Sequence, residues 1–302
     1  MKFSVVVPTL NSGDLWQSWI EALKSQSCIP DNILVVDSGS TDDTVKLSNE
    51  AGFNVQILSP GTFNHGHTRQ QAALQCLDHD VVVYLTQDAI LADDNALQNI
   101  LNPFEDKSVM AVCGRQLPRK QATQIETHAR LYNYPSSSFL RSIHDAEKFG
   151  LKTAFMSNSF AAYRVSTLIE ISGFPDNVIF GEDMYVAAKI LKAGYKTAYA
   201  ADAAVYHSHG YSLLQEMKRY FDMGVFHARE PWLRLDFGAA EGEGVKFILS
   251  EVKYLKKHSF WRIPEAGARL ILRYAGFRLG LMEKFFPLWL KKNFAMNKGF
   301  FK

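Results

Sequence analysis

The sequence predicts an α/β fold, a mainly parallel sheet flanked by helices, with a C-terminal helical extension. Three observations carry this. Across the first 115 residues, short Val/Ile/Leu-rich runs alternate with amphipathic segments, as expected of strands buried on both faces and joined by helical crossovers. From about Tyr211 the pattern changes to long amphipathic stretches rich in Phe, Tyr, Leu and Lys/Arg. Charge divides at a similar place: residues 252–302 carry twelve Lys/Arg against Glu265 and Glu283, a net +10, while the whole chain is only +2. An acidic body over residues 1–210 and a basic helical region over 211–302 follow.

The elements can be taken in order. FSVVVPTL reads as a strand closed by Pro8, with a helix around residues 13–26. NILVVDSGS is a second strand running into a loop, with a helix starting near Asp42. NVQILSP is a third strand, followed by the helical HTRQQAALQCL; VVVYLTQDA is a fourth, with a helix from about Asp94. VMAVCGRQL reads as a further strand, and residues 119–150 as a mixed stretch containing the loop YPSSS. AFMSNSFAAYR carries a strand into a helix over Val165–Ser172, and FGEDMYVAAKI opens a helix at Glu182 or Asp183. KTAYAADAAVYHSHG is a last strand, running into His207 and His209. Ligands of such sheets bind beyond the carboxyl ends of the strands, where Thr9, Asn11, Asp37, Ser38 and Asp88 all fall.

Composition narrows the class. At 47% hydrophobic and 21% charged, the 302 residues are ordinary for a globular chain. No apolar run reaches the roughly 18 residues of a membrane span, and the N-terminal run broken by Pro8 is too short for a signal peptide. Cys28, Cys76 and Cys113 are odd in number and lack metal spacing, which points to a reducing cytosol. The acidic body argues against nucleic acid as a partner.

Four constellations carry candidate chemistry. Asp37, at a strand end and followed by Ser38 and Gly39, can accept hydrogen bonds from a nucleobase or ribose; the plainer reading is a turn with Thr41 or Asp42 capping the next helix. Asp88 ends the run VVYLTQDAI. One carboxylate suffices for a hard divalent cation when substrate phosphates complete its shell, although Asp88 also reads as a turn residue near the next helix. Glu182 and Asp183 suit a helix N-terminus by dipole alone, and an ionised carboxylate there is also a general base. The pairs His65/His67 and His207/His209 can bind zinc or another transition metal, which with Asp88 would make a hydrolytic site. The basic, aromatic tail fits either an anionic membrane surface or a solvated helical face.

Taken in order, VVVPTLN, VVDSGSTDDT, TQDA, SNSFAAYR, GFPD and FGED resemble family-two glycosyltransferases, inverting enzymes of the GT-A fold, a Rossmann-like α/β architecture. FNHGHTR, HSHGYSLLQEMKRYFDMGVFH and the terminal FAMNKGFF resemble, more narrowly, bacterial rhamnosyltransferases of polysaccharide assembly. The resemblance implies a nucleotide-sugar-binding domain over residues 1–210, with residues 211–302 contacting acceptor or membrane. It places Pro8, Thr9, Asn11, Asp37, Ser38 and Gly39 around the nucleotide, joined by His65, Arg69 and Gln87. Asp88 matches the last carboxylate of the D-x-D motif and would hold Mg²⁺ or Mn²⁺, with Thr86 in place of the first carboxylate and His207 as a further ligand. A cation so held is expected to stay only with the donor. Asp183 matches the catalytic base, with Glu182 beside it. The implied reaction moves L-rhamnose from dTDP-L-rhamnose to a saccharide or lipid-linked oligosaccharide, on the cytoplasmic face of an anionic inner membrane. Alternatives are a UDP-hexose or UDP-N-acetylhexosamine donor, a His-rich hydrolase, or an inactive glycan-binding relative.

Overall fold

The computed structural model describes residues 1–238 and 242–302. Its strands are β1 (Phe3–Thr9), β2 (Asn32–Asp37), β3 (Asn54–Ile57), β4 (Val81–Leu85), β5 (Ile90–Leu91), β6 (Val109–Leu117), β7 (Phe139–Arg141), β8 (Phe160–Arg164) and β9 (Lys196–Tyr206). In the N-terminal half the helices are α1 (Leu15–Lys24), α2 (Thr44–Glu50), α3 (His65–Leu74), α4 (Ala96–Leu101) and α5 (Gln124–Asn133). Then come α6 (Ala146–Phe149), α7 (Val165–Glu170), α8 (Glu182–Lys192) and α9 (Leu213–Arg229). The chain ends with α10 (Pro231–Phe237), α11 (Glu243–His258), α12 (Ile263–Leu281) and α13 (Leu288–Phe294).

The strands form one sheet in the order β3-β2-β1-β4-β8-β6-β9-β5, with β7 on the outer side of β9. β3, β2, β1 and β4 are mutually parallel, as are β6 and β9. Antiparallel β8 joins the two parallel groups. Chain order reverses between β1 and β4, so their carboxyl ends diverge and open the crevice where ligands of such sheets sit.

Alternation along the strands sorts side chains to two cores. Val5 and Val7 of β1 join Val81, Val83 and Leu85 of β4 under α1 and α4, with Trp16 and Trp19 stacked at 4.6 Å between centroids. Val6, Val82 and Tyr84 face the opposite side, against α3, α7 and α8. That second core runs past residue 210 without a break, taking in Phe221, Val225, Phe226, Leu233 and the near-terminal Phe301.

Helix α3 begins at His65, capped by the Asn64 side chain, which accepts from His67 N at 2.9 Å. His65 and His67 are therefore helical, not on a strand or loop, and two residues apart on a helix point to different faces. Gly66 is required by close approach: a Cβ there would fall 1.6 Å from the Pro175 carbonyl oxygen. This contact docks FNHGHTR against GFPD.

Helices α9 and α12 cross backbone to backbone. A Cβ on Gly224 would lie 2.3 Å from Phe277 O, on Gly276 2.2 Å from Met217 O, and on Gly280 2.1 Å from Phe221 O. Gly280→Ala is expected to destabilise the fold by about 1–3 kcal/mol through overpacking. Gly267→Ala, in the same helix with open space around the added methyl, should instead be neutral or stabilising by up to about 1 kcal/mol. Urea unfolding of the two variants checks the pair.

Candidate active site

The β1 and β2 ends are stitched to each other before any ligand is considered. Asp37 is fully buried. Its Oδ2 accepts from Thr9 Oγ1 at 2.8 Å and Ser40 Oγ at 2.6 Å, and its Oδ1 from the Gly39 and Ser40 amides at 2.9 and 2.7 Å. The carboxylate expected to face a base or ribose thus shapes the loop that would do so. Asn11 adopts φ 47° and its Oδ1 accepts from Thr41 N at 2.8 Å. Gln87 is turned onto the same loop: its Oε1 accepts from Leu10 N at 2.7 Å and its Nε2 donates to Leu10 O at 3.1 Å. Pro8 and Ser38 are half-buried, and Asn11 and Gly39 stay exposed at these strand ends.

The carboxylate pair stands at the N-terminus of α8. Gly181 precedes it at φ 72°, a left-handed conformation, and a Cβ would press to 2.9 Å from the Phe226 ring; both facts call for glycine. Glu182 is buried and bonded to Arg69 Nη1 at 3.0 Å and Asn158 Nδ2 at 3.2 Å. Burial opposes its charge, but the Arg69 guanidinium wins and holds it below the usual carboxylate range. Arg69, expected beside the nucleotide, is instead buried and paired here, and Nη1 also donates to His65 O at 3.0 Å.

Asp183 is half-buried and differs sharply from its neighbour. Its Oδ2 accepts from Asn158 N at 3.2 Å and its Oδ1 from Met184 N at 2.8 Å. Burial, and then the charge of Glu182, push its pKa up to about 7. Two adjacent carboxylates with pKa values driven apart have different tasks: Glu182 is a fixed anion, Asp183 a group that exchanges protons near neutrality.

Asp88, His207 and His209 form the metal-capable group among the described residues, with ligand atoms all within 4.8 Å of one another. His207 Nε2 lies 3.3 Å and His209 Nδ1 3.5 Å from Asp88 Oδ2. His65 and His67 are not part of this group. Burial lowers the pKa of His207, and burial followed by the charge of His207 takes His209 down to about 3. Both imidazoles are thus neutral, the form that ligates. His207 Nδ1 shares a 2.9 Å hydrogen bond with Gln116 Oε1, an acceptor, so Nδ1 carries the proton and Nε2 a lone pair. Nε2 is buried without a hydrogen-bond partner and faces a carboxylate oxygen. A divalent cation resolves that repulsion, and one carboxylate with two imidazoles is a donor set that can hold one, its shell completed by phosphate oxygens.

The two halves meet on Ser157–Asn158–Ser159. Gln116 Nε2 donates to Ser157 Oγ at 2.9 Å, Asn158 holds both carboxylates, and Thr86 N donates to Ser159 O at 3.3 Å. Gln116 and Asn158 are site residues to which sequence reading gave no role of their own, whereas His209 entered it only as half of a zinc-binding pair with His207. A buried glutamine on a strand and the motif SNSFAAYR were the only signals for the first two. The expected outcome for the metal group is direct. Mn²⁺ at about a hundredfold over its Kd stabilises a single site by about 2.7 kcal/mol, and Asp88→Ala or His207→Ala should abolish that gain in thermal unfolding.

The chain is 47% identical over 302 residues to the O-antigen chain rhamnosyltransferase RfbN of Salmonella typhimurium, covering 99% of this chain and 96% of that protein. It is 45% identical over 299 residues to the O-antigen chain rhamnosyltransferase WbaN of Salmonella anatum, covering 99% and 95%. Its fold is similar to that of the mannosyltransferase PcManGT from Pyrobaculum calidifontis, solved with GDP-Man and Mn²⁺, at TM-score 0.60 and 18% identity over 93% of this chain and 85% of that one. Residues 4–172 match Glycosyl transferase family 2. With the family model matched over more than half of the chain and two relatives aligned over nearly all of it, the chain belongs to glycosyltransferase family 2.

Proposed function

We propose that this enzyme transfers L-rhamnose, with inversion, from dTDP-β-L-rhamnose to a hydroxyl of a saccharide or lipid-linked oligosaccharide in O-antigen assembly. The observation that carries the mechanism is the pairing of a neutral-range carboxylate with a cation group across one tripeptide. Asp183, near pKa 7, takes the proton of the acceptor hydroxyl as its oxygen bonds to the anomeric carbon. The bond from that carbon to the diphosphate oxygen breaks on the opposite face, so a β-linked donor gives an α-L-rhamnoside. Asp88, His207 and His209 would hold a divalent cation, which when bound offsets charge developing on the departing diphosphate. Glu182 and Arg69 act on Asp183 by position and field. Asp37 and Gln87 hold the nucleotide loop in shape, leaving Asn11, Ser38 and Gly39 toward the base and ribose. The names of the two Salmonella relatives support the rhamnosyl assignment.

Residues 211–302 are the acceptor and membrane side of this reading. No helix among the described residues is long and apolar enough to cross a membrane. Phe260, Trp261, Phe285 and Trp289 are nevertheless 64–70% exposed, close in sequence to Lys256, Lys257, Lys284 and Lys292. Apolar rings beside cations suit an anionic cytoplasmic leaflet. Flotation with anionic vesicles at low salt should carry the protein up, and Trp261→Ala with Phe260→Ala should leave it at the bottom; flotation undiminished by these changes removes this face from the reading.

A panel of dTDP-L-rhamnose, UDP-glucose and UDP-N-acetylglucosamine with a rhamnose-containing glycolipid acceptor tests the donor. Transfer is expected from the first alone, and turnover with a UDP-sugar instead would overturn the assignment. Asp183→Asn should keep donor binding and lose about 10²–10⁴-fold in kcat. Because the Asp183 pKa is raised, its ionised form is lost as pH falls through about 7, so kcat/KM should drop toward tenfold per unit below that point. Glu182→Gln removes a repelling charge and should move this acid limb to lower pH.

A further inference from the structure

Three arginines around the Asp88 group have no role in the account so far. Arg119 donates through Nη2 to the backbone carbonyl of Asp88, and Arg130 donates through Nε to the carbonyl of His207 at 2.9 Å. Two of the three metal-capable residues, Asp88 and His207, thus have their main chain tied to a guanidinium. A guanidinium has five N–H donors, and these single bonds are the only side-chain hydrogen bonds that Arg119 and Arg130 make among the described residues. Arg119 Nε is buried with no partner at all.

Arg219, from α9, completes the set. It lies over the rings of Phe180 at 4.9 Å and Tyr211 at 5.7 Å. Tyr211 stacks on His209 at 4.9 Å between centroids, and Phe180 immediately precedes Gly181 and the carboxylate pair. Arg219 therefore stands between the cation group and Asp183. Among the described residues it forms no ion pair, and neither do Arg119 and Arg130, whereas Arg69, Arg229, Arg262, Arg269 and Arg273 all do. Three half-buried guanidiniums gathered about Asp88, with Asp222 also within range of Arg219, leave unused planar donors. That combination matches the bidentate recognition of phosphate oxygens.

We propose that Arg119, Arg130 and Arg219 form a diphosphate subsite adjoining the Asp88–His207–His209 group, able to hold a diphosphate without the cation. The proposal rests on the transferase reading above and deepens it by naming groups that would hold the diphosphate where Thr86 offers no second carboxylate for the cation. Arg219 contacts the diphosphate directly, while Arg119 and Arg130 combine that contact with positioning of Asp88 and His207. The ligand chemistry has two sources, the diphosphate of the nucleotide donor and that of a lipid-linked acceptor.

The test uses binding in EDTA at low salt, with inorganic pyrophosphate, dTDP and farnesyl diphosphate as probes. Wild-type protein is expected to bind pyrophosphate with an affinity that falls steeply as salt rises. Arg219→Gln and Arg119→Gln should each weaken it at least tenfold, and Arg219→Lys should recover part of the loss. Neither variant breaks an ion pair, and unfolding midpoints near wild type confirm that each is folded. Competition between dTDP and pyrophosphate assigns the subsite to the donor, and competition by farnesyl diphosphate alone assigns it to the acceptor; either result upholds it. Pyrophosphate binding equal to wild type in both glutamine variants overturns the subsite. If wild type binds no dTDP even with Mn²⁺ while arginine-dependent pyrophosphate binding persists, the donor reading fails and the subsite stands.

Discussion

The site depends on one short stretch of backbone, Ser157–Asn158–Ser159, just before β8. Its three residues reach the Gln116–His207 pair, the two carboxylates of α8 and the loop leading to Asp88. Tyr163 Oη donates to Asn158 Oδ1 at 2.7 Å from inside the core, so the stretch is itself held from below. Because β8 lies between β4 and β6, it brings together elements distant in the chain. A shift of this tripeptide would move Asp183 and the Asp88 group relative to each other, and positioning errors of an ångström are costly wherever two groups act on one substrate.

Electrostatics follow from that packing. Glu182 and Asp183 are adjacent in sequence and share the dipole of α8, yet one is anchored to Arg69 and the other is not. A buried anion with a guanidinium partner stays ionised, whereas the neighbour without one bears both the desolvation cost and the repulsion. Asp37 is satisfied differently, its two carboxylate oxygens accepting from two hydroxyls and two amides without surface exposure.

The C-terminal helices are part of this machinery through contact with α8 and its flanks. Phe226 of α9 rests against Gly181, and Asp222 accepts from the Met296 and Asn297 amides at 3.2 and 2.9 Å. This ties the FAMNKGFF segment to α9. The glycine-lined crossing of α9 and α12 brings Glu216 onto Arg269 and Arg273, at 2.7 and 2.5 Å. The basic character of the region is thus divided: some cations, Lys291 on Glu283 among them, are spent on internal pairs, while Lys256, Lys257, Lys284 and Lys292 form none among the described residues.

How much of this was legible beforehand depended on the kind of interaction. Strands and their ends could be read because burial on both faces demands unbroken apolar runs, and Thr9, Asp37, Asp88 and His207 fell where those runs stop, with Asp183 at the start of a helix. The family followed from the order of motifs. What the residues face could not be read. Asp37, Gln87 and Arg69 have the chemistry of ligand contacts, and only the fold shows them engaged with Thr9 and Ser40, Leu10, and Glu182. His65/His67 and His207/His209 have identical spacing; one pair lies on a helix and diverges, the other follows a strand and converges on Asp88. The sequence by itself determined the local periodicities, and so the strands, the crossovers and the residues at their ends. Tertiary structure alone decided which polar groups are spent on one another and which are left over, because hydrogen-bond and charge satisfaction is settled between partners far apart in the chain, 91 residues in the case of Gln116 and His207.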